Sequence, residues 1–146
     1  MPASQSNALA CFVLAVSLGA PALLAQSEPR PESFQLAIGM QSRGLHEEAI
    51  EYLKAFLRDH PKHGLVAEGH YRLAQSYLEE ESEDEAVANL RQAIERGGAK
   101  FSLRPESQYR LGNLLQGRGD HEAAMPVFVT LTSELAGDHY LAAAAT

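Results

Sequence analysis

The side chains best equipped for chemistry in this sequence stand in incomplete sets. His60-Pro61-Lys62-His63 brings two imidazoles close together, yet no carboxylate or thiol completes a ligand set around them. His46-Glu47-Glu48 and His121-Glu122 lack the second His that a zinc-binding protease helix carries. The run Glu79-Glu80-Glu81-Ser82-Glu83-Asp84-Glu85 does not show the alternation of oxygen ligands that wraps calcium. It suits a solvated turn whose charges favour the N-terminus of the helix that follows. No Ser/His/Asp arrangement, glycine-rich phosphate loop or cysteine nucleophile can be assembled. The expectation is a protein that is not an enzyme, with no catalytic residue, no metal and no cofactor.

Charge and composition narrow the partners. The chain has 146 residues, with 12 basic and 19 acidic side chains and a formal net charge of −7. Nucleic acid and anionic lipid both need clustered Lys and Arg, so neither is expected as a partner. The single cysteine, Cys11, excludes a disulfide framework within the chain and any cysteine-based zinc site.

All the charged side chains lie beyond residue 25, which divides the chain into two zones. From Ala8 to Ala25 it reads ALACFVLAVSLGAPALLA, then turns polar at Gln26. This is the pattern of a secretory signal peptide over 1–25, followed by a linker over 26–32. Cleavage after Ala22 or after Ala25 would remove Cys11 and leave a thiol-free protein suited to an oxidising compartment. The basic residue that usually opens such a leader is missing. The alternative is an uncleaved anchor over residues 8–25, which is barely long enough to span a bilayer and is weakened by Gly19 and Pro21. The expected location is the periplasm or cell envelope, with contact to a membrane only through an uncleaved leader.

The soluble zone repeats. Leu36-Ala37 recurs as Leu73-Ala74 and as Leu111-Gly112, at intervals of 37 and 38 residues. Thirteen residues after each Leu stands an alanine (Ala49, Ala86, Ala124), and four further on a large apolar side chain (Leu53, Leu90, Phe128). Each unit reads as two helices. In the second, Tyr71, Leu73, Ala74, Tyr77 and Leu78 form one helical stripe, and Ala86, Val87, Leu90, Ala93 and Ile94 form another. Gly44 and Gly117-Arg118-Gly119-Asp120 mark turns in the first and third units, and Ser82-Glu83-Asp84-Glu85 reads as a capping box in the second. Pro61 and Gly97-Gly98 close the second helices, and Pro126 should kink the last. The short side chains at Ala37, Ala74 and Gly112 would face Ala49, Ala86 and Ala124, letting the two helices approach closely.

These residues resemble the tetratricopeptide repeat, whose signature contains L-G-x2-Y, A-x3-F and a closing Pro. The matching segments are Leu36-Ala37-x2-Met40, Ala49-x3-Leu53 and Pro61, then Leu73-Ala74-x2-Tyr77 and Ala86-x3-Leu90, then Leu111-Gly112-x2-Leu115 and Ala124-x3-Phe128. Ser33, His70 and Gln108 replace the signature Trp, and the period is longer than usual, as in the exported versions of bacterial cell-envelope proteins. The resemblance implies an all-α solenoid of three stacked antiparallel hairpins over 33–146, with repeats at about 30–66, 67–104 and 105–137. Projecting the register forward places a truncated fourth at 138–146, as if the chain were the front piece of a longer repeat protein.

In such an array the first helices line a concave face. By register that face carries Phe34, Ile38 and Gln41, then Tyr71, Gln75 and Leu78, then Tyr109, Asn113 and Gln116. Rings beside amides suit an extended or helical peptide. Arg72 and Arg110 share a column and are candidates for contact with an acidic partner, or else pair with neighbouring Glu. The resemblance therefore implies a protein–protein interaction scaffold. The alternatives are self-association through the C-terminal repeat edge, or a segment that positions a downstream domain.

Overall fold

The computed structural model describes the backbone of residues 29–144 and the side chains of residues 29–137. The leader, residues 26–28 of the linker and the side chains of Tyr140 and Leu141 lie outside the described residues. Six helices follow in order: α1 (Glu32–Gln41), α2 (His46–Asp59), α3 (Val66–Glu79), α4 (Glu83–Gly97), α5 (Arg104–Gly117) and α6 (His121–Ala144), with a short 3-10 turn at Gly98–Lys100. Helices α1 and α2, α3 and α4, and α5 and α6 pack as hairpins, and α2 on α3 and α4 on α5 join successive hairpins. No strand occurs among the described residues. The architecture is an all-α solenoid of stacked hairpins.

One device closes the first helix of every hairpin. The amide of Leu45 donates to the Met40 carbonyl at 3.0 Å, that of Ser82 to Tyr77 at 2.8 Å, and that of Asp120 to Leu115 at 2.9 Å. Each bond spans a residue in the left-handed region: Gly44 at φ +75, Glu81 at φ +55 and Gly119 at φ +82. This is the Schellman ending, which satisfies carbonyls left over at the helix C-terminus. The capping box expected at Ser82 does not form. Ser82 does occupy the N-cap of α4, but no side-chain bond caps that helix. Its ψ of 72 differs from the extended value of a capping residue, and its hydroxyl donates at 3.3 Å to the Glu80 carbonyl instead.

Size matching between columns sets the packing. Ala37, Ala49, Ala74 and Ala86 are fully buried, as the close approach of paired helices requires. Where the third hairpin has the larger Phe128 in place of Leu53 and Leu90, it has Gly112 in place of Ala37 and Ala74; a Cβ on Gly112 would lie 2.5 Å from the Phe128 ring. Between hairpins, Gly69 of α3 makes room for Phe56 of α2, whose ring would stand 2.8 Å from an added Cβ.

Two expectations need correction. Leu36, Leu73 and Leu111 share a sequence column but not an environment: Leu73 and Leu111 are 4% and 3% exposed, whereas Leu36 is 38% exposed. The later two press on the preceding hairpin, and no described helix precedes α1. A separate first helix of a fourth hairpin does not start at 138 either. Helix α6 runs unbroken to Ala144, past Pro126 and Gly137.

Candidate functional site

The residues expected to line a groove divide into a part used by the fold and a part left over. Phe34 is fully buried, edge-on to Phe56 with ring centroids 5.0 Å apart and with the Arg72 guanidinium 5.9 Å from its centroid. Tyr71 is 6% exposed, accepts a 3.3 Å hydrogen bond from Gln75 Nε2, and has Arg110 6.0 Å from its ring centroid. In both cases the Arg of the next hairpin lies over the ring of the one before, a cation–π contact that joins the stack. Tyr109 holds the same place in the third hairpin and is 53% exposed.

The amide row divides in the same way. Gln41 Nε2 donates at 2.8 Å to the Arg72 carbonyl and at 2.8 Å to the Ser76 hydroxyl, clipping α1 to α3. Ile38 and Leu78 are partly buried against the two apolar clusters of the core. Asn113 and Gln116 are exposed, and among the described residues they form no side-chain hydrogen bond. Tyr109, Asn113 and Gln116 fall at i, i+4 and i+7 on α5, one continuous stripe. Of the nine groove residues read from the sequence, these three are the exposed ones.

Arg72 and Arg110 are already engaged. Arg72 pairs with Glu68 at 2.8 Å and Arg110 with Glu106 at 2.7 Å, each one turn earlier on the same helix. His60 and His63 have ring centroids 6.3 Å apart in an open hollow with Arg30, Asp59 and Lys62. Among the described residues no group of three or more His, Cys, Asp or Glu could hold a metal ion, and no helix is long and apolar enough to cross a membrane.

A polar cluster on the third hairpin escapes sequence reasoning. Arg104 donates through Nε and Nη2 to the Glu134 carboxylate at 3.1 Å, and through Nη1 to the Ile94 carbonyl at 2.7 Å. Gln108, 2% exposed, donates to Glu134 at 3.1 Å, while its Oε1 has no partner. The Arg104 hydrogen bonds hold the Glu134 carboxyl below its ordinary range, and Gln108 adds to this while desolvation opposes it. The cluster ties α4, α5 and α6 together. It lies at the foot of the helix that carries Tyr109, so it fixes the stripe rather than forming part of it.

Comparison with known proteins fits this geometry. Residues 33–63 and residues 67–96 each match a family model described as the tetratricopeptide repeat. The matches fall on the α1–α2 and α3–α4 hairpins, and α5–α6 continues their register. None of the curated proteins compared with the chain matches it. The chain is an all-α solenoid whose first two hairpins match the tetratricopeptide repeat, a repeat that typically mediates protein–protein interaction.

Proposed function

We propose that the chain is a non-catalytic scaffold or adaptor of the bacterial cell envelope that holds a peptide or partner protein on the concave face of its third hairpin. The observation that carries this reading is the exposure of Tyr109, whose counterparts Phe34 and Tyr71 are buried. A half-exposed ring offers apolar area at little entropic cost, and the amides of Asn113 and Gln116 beside it can donate to and accept from a partner backbone. With Arg72 and Arg110 paired internally, recognition rests on shape and hydrogen bonding more than on charge. Used as bait, the wild-type chain should retain partners that the Tyr109→Ala, Asn113→Ala, Gln116→Ala triple variant loses. Equal recovery by both baits would refute the reading.

Export is supported by the uncharged residues 1–25, and sequencing the N-terminus of the protein from the envelope fraction tests it. A start at Leu23 or Gln26 is expected for a cleaved leader, and Met1 for an anchor. A second reading, self-assembly through the outer edge of the third hairpin, is favoured by the exposure of Met125 and Val129 on α6.

A further inference from the structure

We propose that the wedge between α4 and α6, floored by α5, takes an apolar residue of a partner polypeptide, with its side chain against the three helices and its backbone N–H on Gln108 Oε1. The wedge uses a different stripe of α5 from Tyr109, Asn113 and Gln116, so it does not depend on that surface.

A comparison of the second hairpin with the third shows how a site of this chemistry arises. The column of Gln108 holds His70 in the second hairpin, and the column of Val127 holds Asn89. There the two side chains satisfy each other. Asn89 Nδ2 donates to the Glu85 carbonyl at 2.8 Å, which turns Oδ1 toward the imidazole to accept from His70 Nδ1 at 2.9 Å. The third hairpin keeps a polar side chain in the first column and places an aliphatic one in the second. Val127 can neither donate nor accept. Gln108, 2% exposed, donates through Nε2 to Glu134, and its Oε1 is left without a donor. A buried acceptor in that state is costly, and a ligand that supplies an N–H recovers the loss.

The surroundings define the rest of the ligand. Helices α4 and α6 both pack on α5, and Ile94, Leu111, Pro126 and Val127 wall the wedge between them, with a volume of about 530 Å³. That lies within the range of about 300–1,000 Å³ typical of small-ligand sites. The charges around it cancel, Arg91 and Arg104 against Glu95 and Glu134, so a neutral peptide unit fits better than an ion. Because Glu134 holds the Gln108 amide by its nitrogen, the direction of Oε1 is set before a ligand arrives. Oε1 is shielded from solvent, so entry must displace a side chain. Arg91 lines the wedge, is exposed and forms no ion pair among the described residues, so it can swing aside.

The test titrates the full chain, labelled with nitrogen-15, with N-acetyl-leucine N-methylamide and follows the Gln108 side-chain amide and backbone signals by NMR. A second titration uses the analogue in which an ester oxygen replaces the leucine N–H. The amide should give saturable shifts confined to residues around the wedge, and the ester should bind about tenfold more weakly, as expected when a buried acceptor loses its donor. Gln108→Met keeps the length and removes the acceptor; it should weaken the amide about tenfold and leave the ester unchanged. Val127→Asn restores the pairing of the second hairpin and should weaken the amide in the same way. Thermal melts followed by circular dichroism check that both variants fold, and the amide–ester comparison on the wild type needs no variant. Free leucine, charged at both ends, should bind more weakly than the amide; tighter binding would assign the wedge to a free amino acid and overturn the polypeptide assignment. Equal binding of amide and ester, shifts unaltered by either variant, or no saturable shift up to the solubility limit of the amide would each overturn the proposal.

Discussion

Gly112 lies so close to Phe128 that a Cβ built on it would stand 2.5 Å from the ring's Cζ. In the first two hairpins the same pair of columns holds Ala with Leu, so the third keeps the summed volume while redistributing it. Gly112→Ala sets two effects against each other. Alanine improves helix propensity by about 1 kcal/mol, and overpacking against Phe128 costs about 1–3 kcal/mol. The expected net result is a loss of about 1 kcal/mol in chemical denaturation. In a Phe128→Leu background the obstruction is gone, and the same substitution should become stabilising. A change of sign between backgrounds is the signature of the pairing; the same sign in both would contradict it.

Glu81 occupies the left-handed position that Gly44 and Gly119 occupy in the other hairpins. That conformation costs a residue with a Cβ about 1–2 kcal/mol, partly offset by the greater freedom glycine has when unfolded. Glu81→Gly should therefore stabilise the chain by about 0.5–1 kcal/mol, seen as a higher urea midpoint at unchanged slope. Gly44→Ala and Gly119→Ala should each destabilise it by a similar amount, although nothing lies within 4 Å of an added Cβ at either site.

The Arg104–Glu134–Gln108 cluster should appear in the pH dependence of stability. Hydrogen bonds from Arg104 depress the Glu134 carboxyl in the folded state. A depressed acid stabilises the fold above its unfolded pKa, and that contribution disappears as pH falls through the folded value. Between about pH 6 and pH 3 the wild type should lose more stability than Glu134→Gln. At neutral pH the variant should be less stable by about 1 kcal/mol, since Glu134 is partly solvated. Urea midpoints measured across this range for both proteins check the prediction, and parallel curves would contradict it.

The three rings of one column should respond differently to truncation. Phe34→Ala and Tyr71→Ala each remove a buried side chain and should cost about 3–5 kcal/mol, a large share of a small domain's stability. Tyr109→Ala should change stability by less than about 0.5 kcal/mol. Thermal melts of the three single variants separate the structural rings from the one available to a partner.

What the sequence made legible was whatever repeats locally. The helical stripes, the thirteen-residue interval and the small-residue columns depend on neighbours a few turns apart, and those neighbours are present in every copy. Exposure is not local in this sense. Phe34, Tyr71 and Tyr109 look alike in register, yet the first two are covered by packing from the next described hairpin, which the local pattern does not mark. The Glu134 cluster joins residues 26 and 30 apart across α5 and α6, a separation no periodicity marks. At Ser82 the residue type favoured a capping box, but the Schellman turn before it, with Glu81 held at positive φ, sets a backbone angle that directs the hydroxyl elsewhere.

The central claim is that the exposed stripe on α5 holds another polypeptide, and site-specific photo-crosslinking tests it most directly. A photoreactive phenylalanine is placed at position 109 in one version of the full chain and at position 88, an exposed alanine on α4, in another. Both versions are irradiated in the native cell, and adducts are identified by mass spectrometry. Discrete protein adducts from position 109, absent from position 88, are the expected result. No adduct at 109, or the same adducts from both positions, would contradict the account.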